Sequence, residues 1–150
     1  MNAASGKLRI VLDTKPLIKL FAAEEGWEAV REILSKVEAG DMEAAISVVT
    51  LTEVYYKYLR DGRGDLAKAR TDQLRYALYL EKIPMDEEVA VKAGDFKGKY
   101  GVPIADAIVA ATAYLKGAEV IGDDPDFARM PEIKASSEGK FIARLRGRSR

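Results

Sequence analysis

Short apolar runs alternate along this chain with longer stretches in which apolar residues recur every three or four positions. Residues 8–12 form a compact apolar run that stops at Asp13, the pattern of a strand buried on both faces. Asp13 or Thr14 can cap the helix that follows, with Pro16 in its first turn. Residues 27–38 carry helical periodicity and end before Gly40, and residues 44–49 read as a second buried strand. Helices are predicted over 50–59 and 65–80, separated by the Asp61-Gly62-Arg63-Gly64 break. A short strand is predicted over 81–85. Asp86 caps a helix reaching about Tyr100, and Pro103 opens another that runs to Lys116. Residues 118–122 give a third clear strand and 132–135 a last one. Strands alternating with helices predict an α/β protein with a parallel central sheet and helices on both faces. There is no internal repeat, low-complexity segment or linker.

That topology fixes where chemistry can gather. In right-handed βαβ units every strand ends, and every crossover helix begins, at the carboxyl edge of the sheet, where open α/β folds place their sites. Asp13 ends the first strand and Glu53 follows the second. Asp106 lies in the first turn of the helix leading into the third strand, and Asp124 follows that strand's end at Gly122. Glu53 is the sole charged residue between Glu43 and Lys57, and Asp106 the sole one between Lys99 and Lys116. A helix apolar nearly all round is buried, so a single carboxylate on it is not a solvating group. Taken singly, Asp13 reads equally well as a helix cap, Glu53 and Asp106 as complements to helix dipoles, and Asp124 as a turn residue. Taken together they repel, by about 4 kcal/mol per pair at 4 Å and an effective dielectric near 20, so their convergence calls for a counter-ion.

Composition narrows the chemistry. The 150 residues make one domain and include no Cys and no His. Disulfides, zinc ribbons, thiol catalysis, histidine bases and imidazole metal sites are excluded. All-oxygen ligation by carboxylates selects Mg²⁺ or Mn²⁺. The zero net charge hides an asymmetry. Residues 140–150 hold five cations and no acid, which leaves −5 on the rest. The N-terminus lacks a signal-peptide layout and no apolar run spans a bilayer, so a cytoplasmic protein is expected, with no membrane partner.

Four segments then resemble one family. Ile10-Val11-Leu12-Asp13-Thr14, Val49-Thr50-Leu51-Thr52-Glu53-Val54, Asp106-Ala107-Ile108-Val109-Ala110-Ala111-Thr112-Ala113 and Asp124-Pro125-Asp126-Phe127 resemble the PIN domain, in the right order, over about residues 8–135. The nearest likeness is to the VapC-type ribonuclease toxins of toxin–antitoxin pairs. The resemblance implies a three-layer α/β/α fold with a central parallel sheet. It further implies a Mg²⁺- or Mn²⁺-dependent ribonuclease, an RNA substrate, a cognate antitoxin and frequent homodimers. By motif position Asp13 and Asp106 are the principal metal ligands, Glu53 and Asp124 the supporting catalytic acids, and Thr14 a hydroxyl neighbour. The family's last strand usually ends in Thr where this chain has Gly122, which leaves open which of Asp123, Asp124 and Asp126 is the fourth acid.

The expected organisation is a PIN-like nuclease domain over residues 1–139 and a flexible basic tail over 140–150, available to RNA. Tyr55, Tyr56, Tyr58, Tyr76 and Tyr79 mark helices expected near a homodimer interface. A receiver domain would need paired acids after the first strand and an acceptor Asp after a middle one. A haloacid-dehalogenase-type phosphatase would need Asp-x-Asp where Asp13-Thr14-Lys15 stands. The remaining alternative is a non-catalytic PIN-like module that binds RNA or protein.

Overall fold

A computed structural model describes residues 6–148. Five parallel strands, β1 (Arg9–Leu12), β2 (Glu43–Ser47), β3 (Leu80–Ile83), β4 (Glu119–Ile121) and β5 (Ala135–Ser136), lie in the order β3-β2-β1-β4-β5. Val11 stands opposite Ala45 on one side and Val120 on the other, so β1 is the sheet's centre. Alternation along the strands sends Ile10, Leu12, Ala44, Ile46 and Ile121 to one face and Val11, Ala45 and Val120 to the other.

Each face is covered by helices. The Val11 face packs α5 (Glu87–Tyr100) and α6 (Ile104–Lys116), through Val89, Ala93 and Phe96 and the unbroken buried run from Ala107 to Ala113. The Ile10 face packs α1 (Thr14–Ala22), α2 (Trp27–Glu38), α3 (Val48–Arg60), α4 (Gly64–Tyr76) and α7 (Glu138–Arg148), through Leu17, Ile33, Val37, Val54, Leu74 and Phe141. This is the expected three-layer α/β/α architecture. Among the described residues no helix is long and apolar enough to cross a membrane.

Local chemistry shifts several predicted boundaries. Ser47 ends β2 and its hydroxyl accepts from the Val49 N–H, so α3 begins at Val48, inside the predicted strand. Asp86 caps α5 as expected, accepting from the Val89 N–H at 2.9 Å. α4 stops at Tyr76, because Leu80 is drawn into register beside Ala44 and its side chain buried.

The largest departure is at the C-terminus. Residues 140–148 are not a flexible tail but most of α7. Phe141 and Ile142 are buried and Leu145 packs beside them, one helical turn on. Arg144 pairs with Glu119 of β4 and Arg146 with Glu32 of α2, so part of the positive charge is spent on the body. The boundary expected at residue 139 falls within a packed helix.

Candidate metal centre

The chain runs outward in opposite directions from β1, through β2 and β3 on one side and β4 and β5 on the other. The crevice at the carboxyl ends of β1 and β4 is therefore the topological switch point of the sheet. Asp13 leaves β1 into that crevice. It occupies the N-cap position of α1, yet its side chain makes no capping bond to the helix, so the purely structural role for it is not taken up. It is 7% exposed. Thr14, beside it, donates its hydroxyl to Glu53 Oε1 at 2.6 Å and lies 3.3 Å from Thr50 Oγ1, which ties α1 to the second turn of α3.

Across the crevice, one oxygen each from Asp106, Asp124 and Asp126 lies within 4.8 Å of the others. Asp106 projects from the first turn of α6. Asp124 caps the short 3-10 turn Pro125–Arg129 by accepting from the Asp126 N–H at 2.9 Å, which fixes both aspartates at one end of that turn. Asp13 and Glu53 stand outside this triplet but within electrostatic reach of Asp106.

The structure thus brings Asp13, Glu53, Asp106 and Asp124 together and adds Asp126. Asp123, a third contender in the sequence, is turned away onto Lys15 and Lys19 of α1 at 3.4 and 3.2 Å. Against the opposing effect of burial, those two lysines hold its carboxyl below the usual range. Lys19 also reaches Glu138 at 3.0 Å, joining α1, the β4 exit and α7 in one network. Asp126 is the site residue that sequence reasoning did not assign. The available signal was the Asp-Pro-Asp spacing, since a tight turn opened by Pro125 presents both flanking carboxylates together.

Gly122 fits this crowding. A methyl group there would lie 2.9 Å from Asp13 Cβ, 3.2 Å from Asp13 Oδ2 and 3.3 Å from the Phe127 ring. Glycine lets the carboxylate of β1 sit directly against the end of β4.

Electrostatics follow from the geometry. Burial, with smaller contributions from Glu53 and Asp124, raises the Asp13 carboxyl to about 6 despite the Thr14 N–H beside it. Burial, then Asp124, Asp13, Asp126 and Glu53, raises Asp106 to about 7. These acids are held where the anion is costly without a cation. An all-carboxylate donor set, three of whose oxygens already converge, fits a hard divalent ion such as Mg²⁺ or Mn²⁺.

A measurable consequence concerns the metal-free protein. A carboxyl whose folded pKa lies above its unfolded value stabilises the fold fully below about pH 4, and that contribution is lost as pH rises through 6 to 7. The chain has no histidine, and the carboxylates with lowered values titrate below this window, so Asp13 and Asp106 dominate it. Thermal melting in chelator is expected at lower temperature at pH 8 than at pH 5. Asp13 alone contributes about 3 kcal/mol over the whole range at 1.36 kcal/mol per pKa unit, of which about 1.4 kcal/mol is lost between pH 5 and pH 8. Mn²⁺ at pH 8 should restore the loss by binding only the folded state. A flat melting profile between these pH values would contradict the clustering.

A second cleft, of about 640 Å³, opens at the opposite edge of the sheet. Arg9 pairs there with Glu43 and Lys116 with Glu81, and among the described residues it gathers no carboxylate cluster.

With this geometry in place, the comparisons are specific. Residues 10–133 match the PIN domain family. The chain belongs to that family of α/β proteins with a carboxylate crevice. Within it the chain is of VapC type. It is 32% identical over 97 residues to Ribonuclease VapC4 of Mycobacterium tuberculosis, covering 61% of this chain and 75% of the relative. A DNA-bound VapBC crystal structure from Salmonella typhimurium superposes with a TM-score of 0.70 at 21% identity, over 87% of this chain and 98% of that one. VapBC-5 of Mycobacterium tuberculosis, a toxin–antitoxin structure, superposes with a TM-score of 0.57 at 25% identity, over 86% and 98%.

Proposed function

We propose that this chain is a VapC-like ribonuclease toxin that hydrolyses RNA phosphodiester bonds at the crevice between β1 and β4, with Mg²⁺ or Mn²⁺ as cofactor. The observation that carries the reading is the convergence of Asp106, Asp124 and Asp126 beside buried Asp13, two of these acids lifted toward neutral pKa. PIN-domain membership and the VapC4 relative support it.

Asp13 and Asp106 are the principal ligands in this reading, completed by Asp124 and Asp126. The ion, when bound, offsets the charge of the phosphate and acidifies water for attack on phosphorus. Glu53 acts from the other side. The Thr14 hydroxyl fixes its Oε1, and its Oε2 is left to orient a water and accept its proton. Hydrolysis forms one P–O bond to that water oxygen and breaks the bond to the leaving ribose oxygen, which takes up a proton.

A cognate antitoxin is the protein partner, in keeping with neighbours that are VapBC complexes. Two copies of the chain are proposed to pair through the exposed face of α3 bearing Tyr55, Tyr56 and Leu59, in a cytoplasmic setting. The purified full chain is expected to cut single-stranded or structured RNA when Mg²⁺ or Mn²⁺ is added and to stop on chelation. RNA binding without cutting, in either metal, would favour a non-catalytic module.

A further inference from the structure

Beside the acid cluster lies a groove of about 680 Å³ that shares Asp124 with it. One wall is the 3-10 turn and the segment 130–134. The other is β5 with the first turn of α7. Its lining carries both signs, with Asp123 and Asp124 from the β4 exit and Lys134 and Lys140 from the segments flanking β5. Lys140 makes no ion pair among the described residues, and Lys134 reaches only Glu119, at 3.8 Å, with its side chain 65% exposed. Pro125 and Pro131 add exposed apolar rings to the lining.

We propose that this groove is the subsite for the nucleotide adjoining the scissile phosphate, and that Lys134 and Lys140 engage the next phosphate along the strand. The proposal rests on the ribonuclease reading above and adds the direction in which the RNA leaves the metal centre. Five carboxylates repel a polyanion, so a strand that reaches them needs cations close by, and Lys140, which lines the groove without an ion pair among the described residues, meets that need. The amino end of α7, capped by Ser137 through the Lys140 N–H, lines the same groove and adds positive potential there. The groove's volume lies in the range of small-ligand sites, and its proline rings offer apolar contact to a sugar or base.

The test uses the full chain carrying Asp106→Asn, so that the strand stays uncut, with Mn²⁺ present. Affinity for a single-stranded oligoribonucleotide is read by fluorescence anisotropy across a salt series. Adding Lys134→Met and Lys140→Met should weaken binding about fifteenfold at physiological salt and lower the log–log salt slope by about 1.4, two contacts at about 0.7 each. Removing two exposed cations from α4, Lys68→Met with Arg75→Met, should leave the slope alone, because α4 leads into the opposite edge strand. Ala128→Trp, at an exposed position lining the groove, should block binding at least tenfold and slow cleavage when placed in the otherwise wild-type chain. Mn²⁺ affinity by calorimetry should not move when either set of groove substitutions is placed in the otherwise wild-type chain. Unchanged RNA affinity in both groove variants, with wild-type cleavage intact, overturns the subsite alone and leaves the groove to an acidic protein segment. If the wild-type chain neither binds nor cuts RNA, the ribonuclease reading fails and the subsite with it.

Discussion

Replacing Asp106 by Asn should abolish RNA cleavage, by on the order of 10³-fold or more, while making the metal-free protein more stable. Both effects come from one cause. Asp106 contributes an oxygen within 4.8 Å of those of Asp124 and Asp126, and its anion is opposed by burial first and then by Asp124, Asp13, Asp126 and Glu53. An amide keeps the shape and removes the charge. The divalent ion loses a strong ligand, and the apo crevice loses a repulsion of about 3 kcal/mol per close pair at full ionisation. At pH 8, above the Asp106 value of about 7, the carboxyl is largely ionised, and with the repulsion screened by solvent at this partly exposed group a gain of about 1–2 kcal/mol is expected. Asp13→Asn should behave alike. Steady-state cleavage, Mn²⁺ calorimetry and melting in chelator read the three consequences separately. Undiminished cleavage in both variants would move the chemistry elsewhere, and a large loss of stability would make these carboxylates structural.

Truncation after residue 139 should unfold the protein. α7 buries Phe141 and Ile142 and packs Leu145 against the Ile10 face of the sheet. Exposing three such side chains forfeits about 1.5–3 kcal/mol each, a large share of the 5–15 kcal/mol by which domains are typically stable. Phe141→Ala alone should cost about 3–5 kcal/mol and lower the melting temperature by roughly 10 °C. A detachable tail predicts no change in melting on removal. Testing RNA contacts by deleting this segment would therefore confound binding with folding, whereas the lysine variants leave the apolar seam of α7 in place.

The misreading of α7 has a physical origin. Five cations in the eleven residues 140–150 dominate that segment's composition, while the apolar seam of α7 is only Phe141, Ile142 and Leu145. Its basic residues, Arg146 and Arg148, sit in the last helical turn, where cations favour a helix. β1, β2 and β4 are legible because strands covered on both faces read as unbroken apolar runs. β5 is two residues long, too short to carry a periodicity. Asp13, Glu53 and Asp106 stand out as isolated charges in apolar surroundings. The choice among Asp123, Asp124 and Asp126 is not local. It is made by Lys19, 104 positions before Asp123, which draws that carboxylate away.

The pairing of β1 directly with β4 sets a clock on synthesis. Asp13 is made well before the second wall of its crevice, which needs β4 and then the turn bearing Asp124 and Asp126. At roughly 5–20 residues per second, about ten seconds separate the first acid from the last. Until then Asp13 and Glu53 lack the acids that face them across the finished crevice. The crevice is therefore completed late, once the segments that follow β4 are made and α7 has packed its apolar side chains onto the sheet.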